Sequence, residues 1–258
     1  MANEVFCFDS HFHIINPSFP LVENQSYLPD PFLVEDYLKS MSDLNLCMKG
    51  GAVVSGSFQA FDVSYMKDTL NKLGPNYVGV INLQHDVSDE EILVLNKIGV
   101  RAVRFNLYRG GSQALDKLES FARRIYDLVG WHVELYINNA HLHELVSVLS
   151  SLPKVCIDHL GFGGIGDDLL KLAKCGVHIK ATRFSMLDFD IKNLMLKIHE
   201  CNPKCLMFGS DLPSTRAPRL FNNHDLKLFL KTFDVPELKK IMYSNAYELY
   251  HGRFKLYL

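Results

Sequence analysis

The sequence predicts an α/β chain folded as a single (β/α)8 (TIM) barrel domain over residues 1–258. Three observations predict it. Eight short, β-rich apolar runs recur, at 5–8, 52–54, 77–81, 102–105, 133–137, 154–157, 177–180 and 206–208. Between them, segments such as 33–46, 65–73, 113–129, 141–149 and 169–174 carry apolar residues at helical spacing. Gly74-Pro75, Gly99, Gly130 and Gly176 each stand just ahead of a strand candidate, where glycine ends helices.

Each element follows from local chemistry. Near-continuous apolar strands flanked by helices mean a parallel sheet buried on both faces. Eight such units in 258 residues favour a closed barrel over an open doubly wound sheet. Ser88 and Glu91 form a capping-box pattern that opens the helix before the fourth strand. Gly161, Gly163, Gly164 and Gly166 follow a strand, but neither the dinucleotide fingerprint nor a P-loop is present.

Composition excludes several function classes. With 48% hydrophobic and 22% charged residues, the chain can build a core rather than stay disordered. Its 27 Lys+Arg against 29 Asp+Glu leave a charge of −2, without the basic excess that holds nucleic acid. The opening MANEVFCFDSHFHII lacks a basic stretch followed by an apolar core, so no secretory signal is expected. No apolar run approaches the ~18 residues of a membrane span. Six dispersed cysteines read as buried thiols in a reducing compartment, and a cytoplasmic location is expected.

In such a barrel, reactive groups project from the C-terminal ends of the strands. The first strand runs into Asp9-Ser10-His11-Phe12-His13, and residues two apart on an extended segment point the same way. Two imidazoles there make half of a metal site. The sixth strand ends in Asp158-His159-Leu160-Gly161 and the eighth in Gly209-Ser210-Asp211-Leu212-Pro213. A carboxylate at that last exit can ligate a metal, abstract a proton from water, or do both. His11, His13, His159 and Asp211 are therefore the candidate catalytic and metal-ligating residues.

These motifs resemble the amidohydrolase superfamily, specifically its amidohydrolase 2 branch of lactone hydrolases and non-oxidative decarboxylases. FDSHFHI resembles the opening His-x-His strand, IDHLG the strand-six motif, FGSDLPST the strand-eight motif and YSNAYELYHG the closing-helix signature. The resemblance runs from about residue 5 to 252. FPLVENQSYLPDP, VVSGSFQAFD and GVRAVRFNLYRGG look most like the subgroup of 2-pyrone-4,6-dicarboxylate hydrolase and sugar-acid lactonases. Metal-binding members take a further His or carboxylated Lys from strand four or five. Here those strands supply Arg104, Asn106, Glu134, Tyr136 and Asn138, of which only Glu134 could ligate. Two readings stay open: one divalent metal, with zinc the leading candidate, and the metal-free site that the subgroup implies.

Arginines favour a small anionic substrate, because a guanidinium captures a carboxylate with two hydrogen bonds. Arg104, Arg109 and Arg183 lie at successive mouth positions, and the resemblance implies the same role for them. Arg101 is expected on the bottom or helix-facing side, while Arg216 and Arg219 follow the eighth strand. Tyr27, Ser57 and Tyr136 are secondary candidates for hydrogen bonds to the same ligand. The second His-x-His, His141 and His143, falls on a helical pattern where residues two apart diverge. Trp131 and the C-terminal aromatics, Phe229, Phe233, Tyr243, Tyr247 and Tyr250, read as packing. The terminal RFKLYL fits an extension or a homo-oligomer contact equally.

The expected activity is hydrolysis of a carboxylate-bearing lactone with Asp211 as general base. Metal-dependent decarboxylation of an unsaturated or aromatic acid is the first alternative. A non-catalytic anion-binding barrel is the second.

Overall fold

The computed structural model describes residues 6–110, 115–163 and 166–252. Val5, Gln113, Gly164 and the terminal 253–258 stretch lie outside the described residues. Eight strands follow one another around a sheet, each parallel to the next: β1 (Phe6–Phe12), β2 (Cys47–Val54), β3 (Tyr77–Ile81), β4 (Val100–Asn106), β5 (His132–Tyr136), β6 (Val155–Ile157), β7 (His178–Ala181) and β8 (Leu206–Phe208). All eight expected strands are present. The first extends further than its apolar run, because Asp9, Ser10 and His11 continue the ladder as buried residues.

Outside the barrel lie α1 (Val34–Asp43), α2 (Ser64–Leu73), α3 (Asp89–Lys97), α4 (Leu118–Val129), α5 (Val146–Ser151), α6 (Asp167–Lys174) and α7 (Ile191–Cys201). After β8 come α8 (Asn223–Thr232), α9 (Val235–Lys239) and α10 (Asn245–His251). At the head of α3 the Ser88 hydroxyl accepts from Glu91 N, as the capping pattern predicts. Gly130 ends α4 in the left-handed region at φ 73°, which a side chain would resist. The 141–149 segment divides into a 3-10 turn, Asn139–Glu144, and the short α5. Among the described residues no helix is long and apolar enough to cross a membrane.

The sheet closes where β8 meets β1. Asp211 N donates to His11 O at 2.8 Å and His13 N to Leu212 O at 2.7 Å. Ser10 Oγ donates to Phe208 O at 2.7 Å. Buried Asp9 accepts from Ser210 N and from the Ser210 hydroxyl, at 2.9 and 2.5 Å. Gly209 allows this approach: a Cβ there would stand 2.6 Å from Thr182 Cγ2 and 3.1 Å from His11 Cβ.

Strand alternation sorts the side chains. Val103, Phe105, Val133, Leu135, Ile157 and Ile179 face the helices in the main apolar core. A smaller inner cluster of Phe8, Ala52, Val54, Val80 and Met207 fills the barrel beneath the mouth, and Ala246, Leu249 and Tyr250 of α10 join it. The closing-helix signature thus plugs the barrel floor. Asn245 anchors it, its amide donating to Pro203 O at 2.9 Å and Leu206 O at 2.8 Å. Tyr250 does more than pack, because its hydroxyl reaches Glu134 inside the barrel.

Two expectations need correction. The cysteines are free thiols, but only Cys7, Cys156 and Cys205 are buried. Cys175 is exposed because it caps the solvent end of α6. Tyr247 is also largely exposed rather than a barrel contact, since it lies on the outer face of α10 and stacks on Tyr243.

Asn245→Ala removes two hydrogen bonds, one buried and one part-buried, so a loss of about 2 kcal/mol is expected. Calorimetry should then show the unfolding midpoint falling by about 4–8 °C.

Candidate active site

His13 follows β1, and its Nδ1 lies 2.6 Å from Val54 O. A carbonyl only accepts, so Nδ1 carries a proton and Nε2 is the nitrogen left to meet a ligand. His11, inside β1, directs Nδ1 at Asp158 Oδ1 at 3.3 Å. Its Nε2 stands 3.6 Å from Asp211 Oδ1, which is equally 3.6 Å from His13 Nε2. His159 completes the group: its ring lies 4.9 Å from that of His11, and its Nδ1 meets Thr182 Oγ1 at 2.5 Å. All four candidate residues thus meet at one end of the barrel.

Burial sets their charge states. It pushes the His11 imidazole down to about 4, with Asp158 opposing and Lys180 reinforcing the shift. Burial likewise holds His159 well below the usual range, so both rings are neutral at pH 7. For Asp211, burial alone would raise the pKa. Arg183, His159 and the His13 contact outweigh it and hold the carboxyl below the ordinary range. Asp158 shows the same balance, with Lys180, His11 and Arg104 overcoming its burial.

His11 Nε2, His159 Nε2 and Asp211 Oδ1 are buried and have no hydrogen-bond partner. Leaving such an atom unpaired costs about 1–3 kcal/mol. Three together mark the place where a ligand belongs. Ligand atoms from His11, His13 and Asp211 lie within 4.8 Å of one another, and a second group unites His11, Asp158 and His159. Two imidazole lone pairs and a free carboxylate oxygen fit one divalent ion.

Beneath this cluster lies a charged layer. Lys180, fully buried on β7, donates to Glu134 and lies 3.3 Å from Asp158 Oδ1 and 3.4 Å from His11 Nδ1. Glu134 also receives Tyr250 OH and contacts His132 Nε2 at 3.0 Å. Its oxygens are therefore engaged below the mouth, which overturns its candidacy as a metal ligand. His132, the imidazole of β5, sits in the same lower layer.

Above the cluster is a small cleft, partly open to solvent. Arg104, Arg109, Arg183, Ser57 and Tyr136 line it, as does Arg216. The arginines are not equivalent. Arg104 Nε and Nη2 both lie 2.9 Å from Asp158 Oδ2, and Nη1 donates to Ser55 O. Arg183 Nη1 lies 3.4 Å from Asp211 Oδ2 and Nη2 donates to Thr215 O at 2.9 Å. Arg109 and Arg216 have no carboxylate partner among the described residues. Tyr27 is absent from the lining; its ring lies 4.3 Å from the Arg216 guanidinium and its hydroxyl accepts from Arg216 N. Arg101 bonds Asn96 O at the opposite end, as expected, and Arg219 is bound to Asp225.

The sequence reading did not single out Asp158, Thr182, Lys180 or Arg216 as site residues. A signal for Lys180 existed: in His178-Ile179-Lys180-Ala181-Thr182 the polar residues alternate with apolar ones, so they share the inward face. Nothing comparable marked Arg216, which lies in irregular chain.

A family model described as Amidohydrolase matches residues 8–252. A 2-pyrone-4,6-dicarboxylate hydrolase of Comamonas testosteroni is 32% identical over 159 residues, covering 59% of this chain and 51% of that protein. The matched stretch spans about half the length of that relative. An Acinetobacter baumannii structure, described as a probable 2-pyrone-4,6-dicarboxylic acid hydrolase with citric acid bound, superposes with a TM-score of 0.78 at 26% identity. That match covers 95% of this chain and 99% of the other. An apo structure from Agrobacterium tumefaciens gives 0.83 at 18% identity, covering 95% of each chain, a likeness of fold.

Lys180→Met leaves Glu134 and Asp158 buried without their shared cation, at an expected cost of about 3–5 kcal/mol. The midpoint should fall by about 6–20 °C. Lys180 is the main influence lowering Glu134 from 4.5 to about 2. Glu134 therefore stabilises the fold fully above pH 4.5, and that share is lost as pH falls toward 2. In urea titrations across this window, Lys180→Met should show a flatter decline than the wild type.

Proposed function

The chain belongs to the amidohydrolase family, and on that footing we propose that it hydrolyses a lactone, or a similar cyclic ester, carrying one or more carboxylates. One observation carries the reading: the unpartnered Asp211 Oδ1, flanked by His11 and His13 Nε2, beside a cavity lined with arginines. The relatives' names support it, and the citric acid in the Acinetobacter structure is itself a polycarboxylate.

Asp211 Oδ1 takes a proton from water as the water oxygen bonds to the ester carbonyl carbon. The tetrahedral intermediate then collapses, the ring C–O bond breaks, and the proton passes from Asp211 to the departing oxygen. The product is the open-chain acid. With the Thr182 hydroxyl donating to His159 Nδ1, the remaining N–H of that neutral ring donates to the oxyanion. Arg104, Arg109 and Arg183 hold substrate carboxylates so that the carbonyl lies within reach of the base. Ser57 and Tyr136, whose buried hydroxyl lacks a partner, add hydrogen bonds to the same ligand. Tyr27 acts through Arg216. His11, His13 and Asp211 are the residues that would hold a divalent ion such as zinc, and such an ion would supply Lewis acidity to the site.

Acid release from a lactone panel, with and without chelator, tests the reading. A 2-pyrone dicarboxylate should be opened, and a ring without carboxylates should not. Asp211→Asn should lower kcat by about 10²- to 10⁴-fold with the fold retained. Unimpaired turnover in that variant would remove Asp211 from the base role.

A further inference from the structure

At the end of the barrel opposite the mouth, a second cleft opens between the starts of β6 and β7, the turn from α7 to β8, and α10. Its polar lining is Lys154, His178, Asn202, Lys204 and Glu248. Residues at this end of a barrel ordinarily serve stability. The groups gathered here do not pair as packing alone requires.

Lys154 is half-buried, and burial pulls its ammonium below the usual lysine range. Its Nζ donates to Leu249 O at 3.1 Å, which leaves two of its three N–H bonds unspent. A cation in that position normally has an acid beside it. Among the described residues the lysine ion pairs are those of Lys72, Lys117, Lys171 and Lys180, so Lys154 and Lys204 have none. Glu248, the one acid of the lining, is exposed and pairs with neither. The His178 ring is neutral at pH 7, pushed down to about 3 by burial with His132 and Lys154 reinforcing. Its Nδ1 is buried and has no partner. Asn202 is spent: its amide nitrogen donates to Ala173 O at 3.2 Å, and its oxygen accepts from Lys204 N at 3.0 Å. Inside the Glu248 rim, what remains unspent is two ammoniums and the N–H of one imidazole.

We propose that this floor cleft binds a small phosphate group, held by Lys154, Lys204 and the His178 ring. Two ammoniums match a doubly charged anion, and all three side chains offer N–H donors to its oxygens. A metal ion is a poor occupant, because the ammoniums repel it and no group of metal-ligating atoms forms there among the described residues. The cleft lies beneath the layer of His132, Glu134 and Lys180, on the far side from the ester site proposed above. Neither reading depends on the other.

Inorganic phosphate is the probe, titrated against chloride at constant ionic strength while the histidine ring signals are followed by NMR. The His178 signal is identified by its loss in His178→Gln. In wild type it should move and saturate, with a dissociation constant of about 1 mM or lower. Lys154→Met should weaken binding by about 10- to 100-fold, the range for a charge-assisted pair, and Lys154→Arg should restore most of it. Lys204→Met, on an exposed turn, should weaken it by at least about threefold, and decides the matter if Lys154→Met does not fold. Arg216→Met removes a cation from the mouth, where phosphate can also bind, and should leave the His178 titration unchanged. Acetate, singly charged, should bind at least about tenfold more weakly than phosphate. Methyl phosphate separates the two sources of the group: affinity equal to that of phosphate assigns a phosphoester, and a loss assigns free phosphate. A His178 signal that never moves, drifts without saturating, depends on Arg216 instead of Lys154 and Lys204, or answers acetate as strongly, would overturn the site.

Discussion

Everything at the mouth depends on four charges buried inside the barrel. Lys180 and Arg104 bring two cations into the interior, and Glu134 and Asp158 bring two anions. Each ion costs several kcal/mol to desolvate, so the set is tolerable only because it sums to zero and is densely paired. Its consequence is directional. Asp158, held between Lys180 and Arg104, presents Oδ1 to His11 Nδ1 and so leaves His11 Nε2 facing Asp211. At the other end, Glu134 receives Tyr250, so the helix that plugs the floor is tied to the same charges that orient the site. Floor, charged layer and imidazole cluster form one connected structure.

The sheet's edge is closed by the site itself. His11, His13, Asp211 and Leu212 supply the backbone bonds joining first strand to last. The strand exits around the mouth also carry strain. His159, Arg183, Asp211 and Arg216 are all non-glycine residues with φ between 54° and 63°. Such conformations cost about 1–3 kcal/mol each and persist only where surroundings over-determine them. At Asp211 the over-determination is visible: its N–H is bonded to His11 O, its carbonyl accepts from Ser214 N, and its side chain meets Arg183. Left-handed turns at the strand exits bring side chains back over the barrel axis instead of out to solvent.

How much of this was legible in the sequence depended on whether a feature was local. The strands announced themselves by apolar runs, and their helices by spacing and glycine stops. His11, His13, His159 and Asp211 were legible because barrel geometry sends every strand exit to one rim. Lys180 was passed over as the polar end of an apolar run, although its parity with His178 and Thr182 placed it inward. Pairing was out of reach: Glu134 looked like a spare ligand until Tyr250, distant in the chain, was found on it. Arg216 depends on a left-handed backbone and a turn from the first loop, neither of which has a periodic signature.

On the proposed mechanism, one tension has to be resolved. A carboxylate held below its ordinary range is a weak base, and Arg183 is the largest influence holding Asp211 there. The same guanidinium is placed to receive a substrate carboxylate. Once that anion shares Arg183, the cation's pull on Asp211 is partly neutralised, and because Asp211 and Arg183 are both buried, little water is present to screen the change. Asp211 becomes a better proton acceptor only when the right substrate is bound. Binding energy from a carboxylate remote from the reacting carbon is thereby converted into basicity at the reacting centre, which is differential stabilisation of the transition state rather than tighter binding alone. A ring without the carboxylate would lose affinity and base strength together.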